Sequence, residues 1–335
     1  MANFEEAGPS KPVVEAIRVD KVTPGYRLTH NLRAILVLVL SVILLVPVFV
    51  MVLTAFKTRP DAIHVPPKII FTPSLEGIVF LFTERAAPPP ARLEQLKKEA
   101  AEGQELSLWD RIALNAGQEI TGPSDYVFRL RNSVIIAGVS TLLSVILAVF
   151  SAYAFSRFTV KGKGDLLFFI LSTRMLPAVV VTVPLFLMYT QLKLHDTHFG
   201  MILLYTVFNL SLAVWLMKGF FDEIPREYEE AALVDGYTRM QAFFKIVLPQ
   251  SVTGIAATTV FCLIFAWNEY AFALMLTSEK ARTAPPSIAT MLGIGGIEWT
   301  AIAAGSLGFL IPVVIVTFAL RNYLLRGVTF GAVRK

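Results

Sequence analysis

Six continuous apolar runs, each long enough to cross a lipid bilayer, constrain this chain more than any other feature of it. A transmembrane helix needs about 20 apolar residues to cross about 30 Å of hydrocarbon. The runs fall at 34–56, 133–155, 166–189, 201–221, 252–276 and 299–320. None alternates apolar with polar residues, so helices fit and barrel strands do not. Pro177 and Pro184 interrupt the third run and are expected to kink it or to open backbone carbonyls to a pathway. The composition agrees: 55% of residues are apolar and 16% charged, against roughly 45–50% and about 25% in soluble domains. The first run is too long for the apolar part of a cleavable leader and follows a polar stretch, so it is read as a span. The sole cysteine, Cys262, lies in the fifth run and excludes a disulfide framework or thiolate cluster.

The formal charge of +5 could signal nucleic acid, an anionic surface or the positive-inside bias of a multispanning protein. The placement of the charges favours the last, and no nucleic-acid partner is expected. Arg157, Lys161 and Lys163 lie between the second and third runs, Lys218 lies at the end of the fourth, and Arg226, Arg239 and Lys245 lie between the fourth and fifth. The tail carries Arg321, Arg326, Arg334 and Lys335 without an acid. Both termini are therefore expected in the cytoplasm. Arg129 and Arg131 fall on the opposite side, but a long loop crosses largely regardless of charge. The expected organisation is a cytoplasmic N-terminal segment (1–33), a first span (34–56), an extracytoplasmic segment with an inserted helical stretch (57–131), a five-helix core (132–320) and a cytoplasmic tail (321–335). In the insertion, 91–102 reads as a polar helix with Glu94 and Lys98 spaced as an i,i+4 pair. Gly103 ends it, and Ser107 with Asp110 opens a second short helix. The insertion is read as a solvated decoration or a contact surface for a partner.

Between the fourth and fifth runs, residues 222–250 are amphipathic and too polar to span. Pro225 suits the first turn of a short helix over 226–234, Asp235-Gly236 signals a turn, and 237–245 can form a second helix. Helices this short are marginal alone in water and need a surface to pack on. Ala231, Ala232, Val234, Phe243, Phe244 and Ile246 supply an apolar face. A helix–turn–helix knob of this kind can pass a push from a soluble partner into the membrane.

Glu230, Ala231 and Ala232, then Gly236, then Ile246, Leu248 and Pro249, match the EAA loop of ABC importer permeases in identity and spacing. The wider chain resembles the maltose-type carbohydrate branch: RNS at 131–133, AYAFSRF at 152–158, TRMLP at 173–177, LHDTHFG at 194–200 and WNEY at 267–270. The insertion, roughly 84–125, departs from the usual short loop. The resemblance implies an all-α integral membrane protein, six transmembrane helices in the type I ABC importer permease fold with a cytoplasmic coupling helix pair, in a bacterial-type inner membrane. It implies three protein partners besides membrane lipid: a second homologous permease, a dimeric cytoplasmic ATPase and an extracytoplasmic solute-binding protein. The EAA loop would dock on the ATPase, Glu230 pairing with a basic group there and Gly236 giving the sharp turn. The solute implied is a sugar, polyol or related compound. No G-x-x-x-x-G-K-[ST] loop occurs, so ATP and Mg are expected on the ATPase, with no cofactor on this chain.

Arg174, Asn209, Trp267, Asn268 and Glu269 are the candidates for the solute pathway, because an ionisable or polar group at membrane depth needs water or a partner and a sugar site wants an aromatic platform beside hydrogen-bonding groups. Each has a plainer reading: snorkelling for Arg174, a helix–helix hydrogen bond for Asn209, an interfacial aromatic belt for Trp267. A straight rise of about 1.5 Å per residue puts Arg174 about 12 Å and Glu269 about 25 Å from the cytoplasmic side. That assigns Arg174 to an inner gate and Asn268 and Glu269 to an outer vestibule. In the Gly- and Pro-rich loop before the sixth run, Gly293, Gly295 and Gly296 are candidates for contact with the binding protein. His195 and His198 are spaced H-x-x-H, but zinc needs further ligands and none is near in sequence, so no metal is expected. A membrane-embedded enzyme would need a catalytic set, and neither H-E-x-x-H nor G-x-S-x-G occurs. A secondary transporter subunit would carry an inverted repeat in a longer chain and has no use for a coupling knob.

Overall fold

A computed structural model describes residues 24–293 and 296–332. The chain divides into two units, Met1–Val50 and Met51–Lys335. In the first, the described residues form the start of helix α1 (Pro24–Ala55), and every side chain from Asn31 to Val50 is exposed.

The second unit carries the other elements. After α2 (Arg59–Ala62) and α3 (Glu76–Phe82) comes a small insertion: strand β1 (Thr83–Ala86), helices α4 (Pro90–Ala101) and α5 (Leu108–Ala116), and strand β2 (Glu119–Pro123). The membrane helices follow: α6 (Tyr126–Arg157), α7 (Lys163–Ser172), α8 (Ala178–Gln191) and α9 (His198–Glu223). Two short helices come next, α10 (Glu227–Val234) and α11 (Arg239–Ala242), the latter running on through a π turn into α12 (Leu248–Gln250). Then come α13 (Val252–Trp267), α14 (Ala271–Leu276), α15 (Ala284–Ala289), the two-residue strands β3 (Leu292–Gly293) and β4 (Gly296–Ile297), and α16 (Trp299–Ala332). Among the described residues four helices are long and apolar enough to cross a membrane, and six spans result if two bent helix pairs count as one each.

One bend lies between α7 and α8, at 91°, and falls at Leu176-Pro177. Proline lacks the N–H that would continue the helix and turns the preceding residue away from helical geometry. Pro184 sits inside α8. The fifth run departs from the expected single span over 252–276: its helix stops at Trp267, and a separate turn of helix starts at Ala271. The side chain of Glu269 takes the first N–H groups of that turn, those of Phe272 (2.8 Å) and Ala273 (3.0 Å), which a continuous helix would have bonded internally.

Helices α6 and α9 run side by side in the same direction: Asn132 meets His198 near their starts, and Arg157 meets Phe221 near their ends. Their seam uses small residues on α6 at helical spacing, with Ala137, Ser140, Ser144, Ala148 and Ala152 all buried. Small side chains let the backbones approach closely, the usual basis of helix association in lipid. Ser144 Oγ crosses the seam to the Thr206 carbonyl at 3.1 Å. At one end of this pair, Tyr153, Phe221, Phe243 and Val247 form a buried apolar cluster; nearer the other, Ile136, Tyr189, Met201 and Leu276 form a second.

The insertion closes on an antiparallel neck, with Thr83 opposite Pro123 and Ala86 opposite Glu119. Ser107 caps α5 by accepting the N–H of Asp110, as its spacing predicts. In α4 the hydrogen-bonded i,i+4 pair is Gln95 with Glu99, at 2.8 Å, one position along from the expected Glu94 and Lys98. The insertion is tied to the start of α16 by a buried polar group. Glu298, fully buried, accepts from Gln118 at 2.8 Å and faces Arg59 at 3.5 Å and Arg85 at 3.8 Å.

Candidate functional site

The polar knob after α9 folds as two short helices, as its apolar spacing suggests. Thr238 and Gln241 form a reciprocal capping box that starts α11, and Gly236 turns the chain with φ of 87°. That left-handed angle strains a residue with a Cβ, which is the physical reason for glycine there. The second helix differs from the one expected over 237–245. It is α-helical only from Arg239 to Ala242 and widens into a π turn over Phe243–Val247. Of the matched loop residues, Glu230, Ala231, Gly236 and Pro249 are exposed, Ile246 and Leu248 are partly covered, and Ala232 is buried. Tyr228, Val234 and Met240 add exposed apolar surface, with Val234 at 88%.

The knob is fastened by a buried ion pair that no sequence motif marks. Glu229, not Glu230, turns inward and is buried. It pairs with Arg157 at the end of α6 and accepts from the Tyr153 hydroxyl at 2.9 Å. Both partners lie in the AYAFSRF stretch, which was legible as a motif but carried no sign of its partner.

A cavity of about 280 Å³ lies where the third span breaks. Its polar lining comes from Arg174, Tyr205, Asn209 and Glu269, and its apolar lining includes Phe208, Phe265 and Phe272. Arg174 lies in a 3-10 turn between α7 and α8. Its guanidinium rests 4.0 Å from the centre of the Phe265 ring and donates to the Phe208 carbonyl at 3.3 Å. The Tyr205 hydroxyl donates to Glu269 Oε2 at 2.7 Å, and Asn209 Nδ2 donates to the Cys262 carbonyl at 3.1 Å. Arg174 and Glu269 thus line one cavity, where the straight-helix rise put them at separate depths. The 91° bend beside Arg174 is the reason, since rise along one axis no longer measures depth.

Trp267 and Asn268 do not line this cavity. Trp267 is buried, stacks on Phe309 at 4.7 Å and donates to the Phe309 carbonyl. Asn268 is exposed and bonds the carbonyl of Ile264. The aromatic walls of the cavity come instead from Tyr205, Phe208, Phe265 and Phe272, spread along α9, α13 and α14.

Two further motifs meet at one loop. Asp196 accepts the backbone N–H groups of Ser278, Glu279, Lys280 and Ala281 at 3.0–3.2 Å. Asn132 of RNS donates to the carbonyls of Lys280 and Arg282, and its Oδ1 shares a hydrogen bond with His198. The H-x-x-H pair is accordingly split: His198 serves this loop, and His195 packs edge-on against Phe186. Beyond α15, Gly293 and Gly296 belong to the β3–β4 hairpin, where Gly296 has φ of 108°; Gly295 lies outside the described residues.

Residues 144–330, more than half of the chain and including the knob and the cavity, match the family described as binding-protein-dependent transport system inner membrane component. A probable ABC transporter permease protein, y4oR of Sinorhizobium fredii (strain NBRC 101917 / NGR234), is 33% identical over 88% of this chain and 92% of its own length. The trehalose transport system permease protein SugB of Mycobacterium tuberculosis (strain CDC 1551 / Oshkosh) is 37% identical over 61% of this chain and 76% of its own. Among solved structures, a chain of a bacterial ABC transporter involved in the import of the acidic polysaccharide alginate superposes with a TM-score of 0.60. It is 19% identical and is matched over 90% of this chain and 98% of that one, a likeness of fold. The chain belongs to the binding-protein-dependent transport inner membrane components. It is a permease subunit of an ABC importer, with the type I permease fold.

Proposed function

We propose that this permease passes a sugar, polyol or related solute into the cytoplasm by alternating access, through a pore shared with a second homologous permease. ATP is hydrolysed, with Mg, on a dimeric cytoplasmic ATPase that docks against Glu230, Ala231 and the exposed face around Gly236. A solute-binding protein delivers the solute on the opposite side, with the β3–β4 hairpin among its contacts. Both termini lie in the cytoplasm, and this chain itself binds no cofactor and catalyses no reaction.

The observation that carries the reading is the cavity at the broken third span. It combines hydrogen-bonding groups with aromatic walls, the pairing that sugar-like solutes require. The similarity to a trehalose permease supports the solute class. The exposed apolar side chains of α1 support a covering of lipid or a second permease. Reconstitution in vesicles tests the whole assignment. Uptake and ATPase activity are expected only when this chain is combined with a second permease, an ATPase and loaded binding protein. Uptake by this polypeptide alone would overturn the shared pore.

A further inference from the structure

The knob has two faces, and its inward face is built around one ion pair. Helix α10 is eight residues long, too short to hold its shape unaided. It leaves α9 through Ile224-Pro225 and reaches α11 through the turn at Gly236, so both connections could flex. Glu229 closes that freedom. One carboxylate oxygen pairs with Arg157 Nε, and the other accepts from Tyr153 at 2.9 Å. The two charged side chains are 5% and 9% exposed.

Arg157 does more than balance that charge. Its two terminal nitrogens donate to the carbonyls of Phe221 and Ile224, each at 2.9 Å. These carbonyls close the C-terminal end of α9, where a cation is favoured, and the Phe221 carbonyl also takes the capping N–H of Ile224 at 3.2 Å. One guanidinium therefore joins the end of α6, the end of α9 and the start of α10. A reciprocal tie runs from Arg226 to the Ser156 carbonyl at 2.9 Å. The Tyr153 ring lies 4.5 Å from that of Phe243, which brings the π turn into the same assembly.

We propose that Arg157 and Glu229 form a rivet that makes the knob and the adjoining ends of α6 and α9 one rigid body. A displacement imposed on the exposed face of the knob then reaches α6 and α9 undiminished, and is not absorbed at the flexible connections. Glu229 and Arg157 are positioning residues in this account, distinct from the outward Glu230. The inference rests on the reading of the knob as the element that meets the ATPase.

The test is a distance between spin labels at Glu227→Cys on α10, at the end of that helix away from Gly236, and Leu147→Cys on α6, both exposed positions, in a Cys262→Ala background. In the assembled transporter the distance should stay unchanged between nucleotide-free and ATP-bound states. In Glu229→Gln, which keeps the side-chain shape, the distribution should broaden or shift between states. Uptake per ATP hydrolysed should fall several-fold while the ATPase still copurifies. A parental distance that moves by several ångströms between states would overturn the rivet. So would parental uptake per ATP in both Glu229→Gln and Arg157→Lys. If the ATPase fails to copurify even with the parent, the docking assignment is wrong. The label distribution in the permease without ATPase, narrow in the parent and broad in Glu229→Gln, still decides the rivet.

Discussion

Gln118 donates from Nε2 to the fully buried Oε1 of Glu298 at 2.8 Å, joining the inserted stretch to a residue 180 positions further along the chain. Arg85 donates to Gln118 Oε1 at 2.9 Å and stacks over the Phe80 ring at 4.0 Å, so the contact belongs to a connected group. Removing one partner of a buried ion group leaves the others uncompensated, at a cost of about 3–5 kcal/mol. Glu298→Ala is therefore expected to lower the thermal midpoint in detergent and to speed proteolysis within 87–118. An unchanged midpoint and cleavage rate would show that the group contributes nothing to holding the insertion.

Asp196 gives a pH dependence with a definite sign. Burial raises its pKa, but the N–H groups of Ala281, Lys280, Ser278 and Glu279 together outweigh that and hold it below its ordinary 3.8. A carboxylate whose folded pKa is depressed stabilises fully above the unfolded pKa and loses that contribution as pH falls through the folded one. The loop at 278–281 should stay protected from hydrogen exchange from neutral pH down to about 4 and open below it. Asp196→Asn tolerates the left-handed φ of 54° but loses charge-assisted acceptors. It should weaken protection at neutral pH by about 1–3 kcal/mol. Equal protection in parent and variant at neutral pH would contradict this.

Gly236→Ala forces a Cβ into φ of 87°, at roughly 1–2 kcal/mol. The turn between the short helices should distort, and a bulkier residue such as valine should abolish uptake. Glu230→Lys leaves the fold untouched, since Glu230 is exposed, but should release the ATPase. Copurification and uptake measured together check both; parental values for Gly236→Val and Glu230→Lys would remove the knob from the coupling scheme.

Arg174→Ala removes the stack on Phe265 and the bond to the Phe208 carbonyl. It also removes a charged donor from the cavity lining, and a hydrogen bond to a charged group is worth about 1.5–3 kcal/mol, so solute uptake should fall by roughly tenfold or more. Assembly with the ATPase should persist, because the cavity and the knob share no residue. Parental transport kinetics would exclude Arg174 from the pathway.

Much of this architecture was legible because its signals are local. Continuous apolar runs mark membrane helices, and the Glu230 to Pro249 pattern marks the knob at fixed spacing. The Ser107 cap and the break at Pro177 also follow from nearest neighbours. The residues that escaped depend on long-range geometry. Glu229 and Glu230 are adjacent and chemically alike, and only the rotation of α10 against α6 decides which is buried. The grip of Asp196 on Ser278–Ala281 links segments that no periodicity connects. Trp267 stands beside Asn268 and Glu269 in sequence, which suggests a solute platform, but packing against Phe309 of α16 turns it away. The shared cavity of Arg174 and Glu269 needs the bend angle, which a proline announces without specifying.

The antiparallel neck of the insertion, with Ala86 opposite Glu119, brings the chain back beside the point where it departed. Seen from the membrane helices, the stretch between those residues produces no net displacement. Lengthening such an excursion costs only about 0.6 kcal/mol for each doubling. This neck is therefore a natural grafting point, where foreign sequence such as an epitope or a reporter domain can be carried without redirecting any helix, provided Gln118 keeps its grip on Glu298.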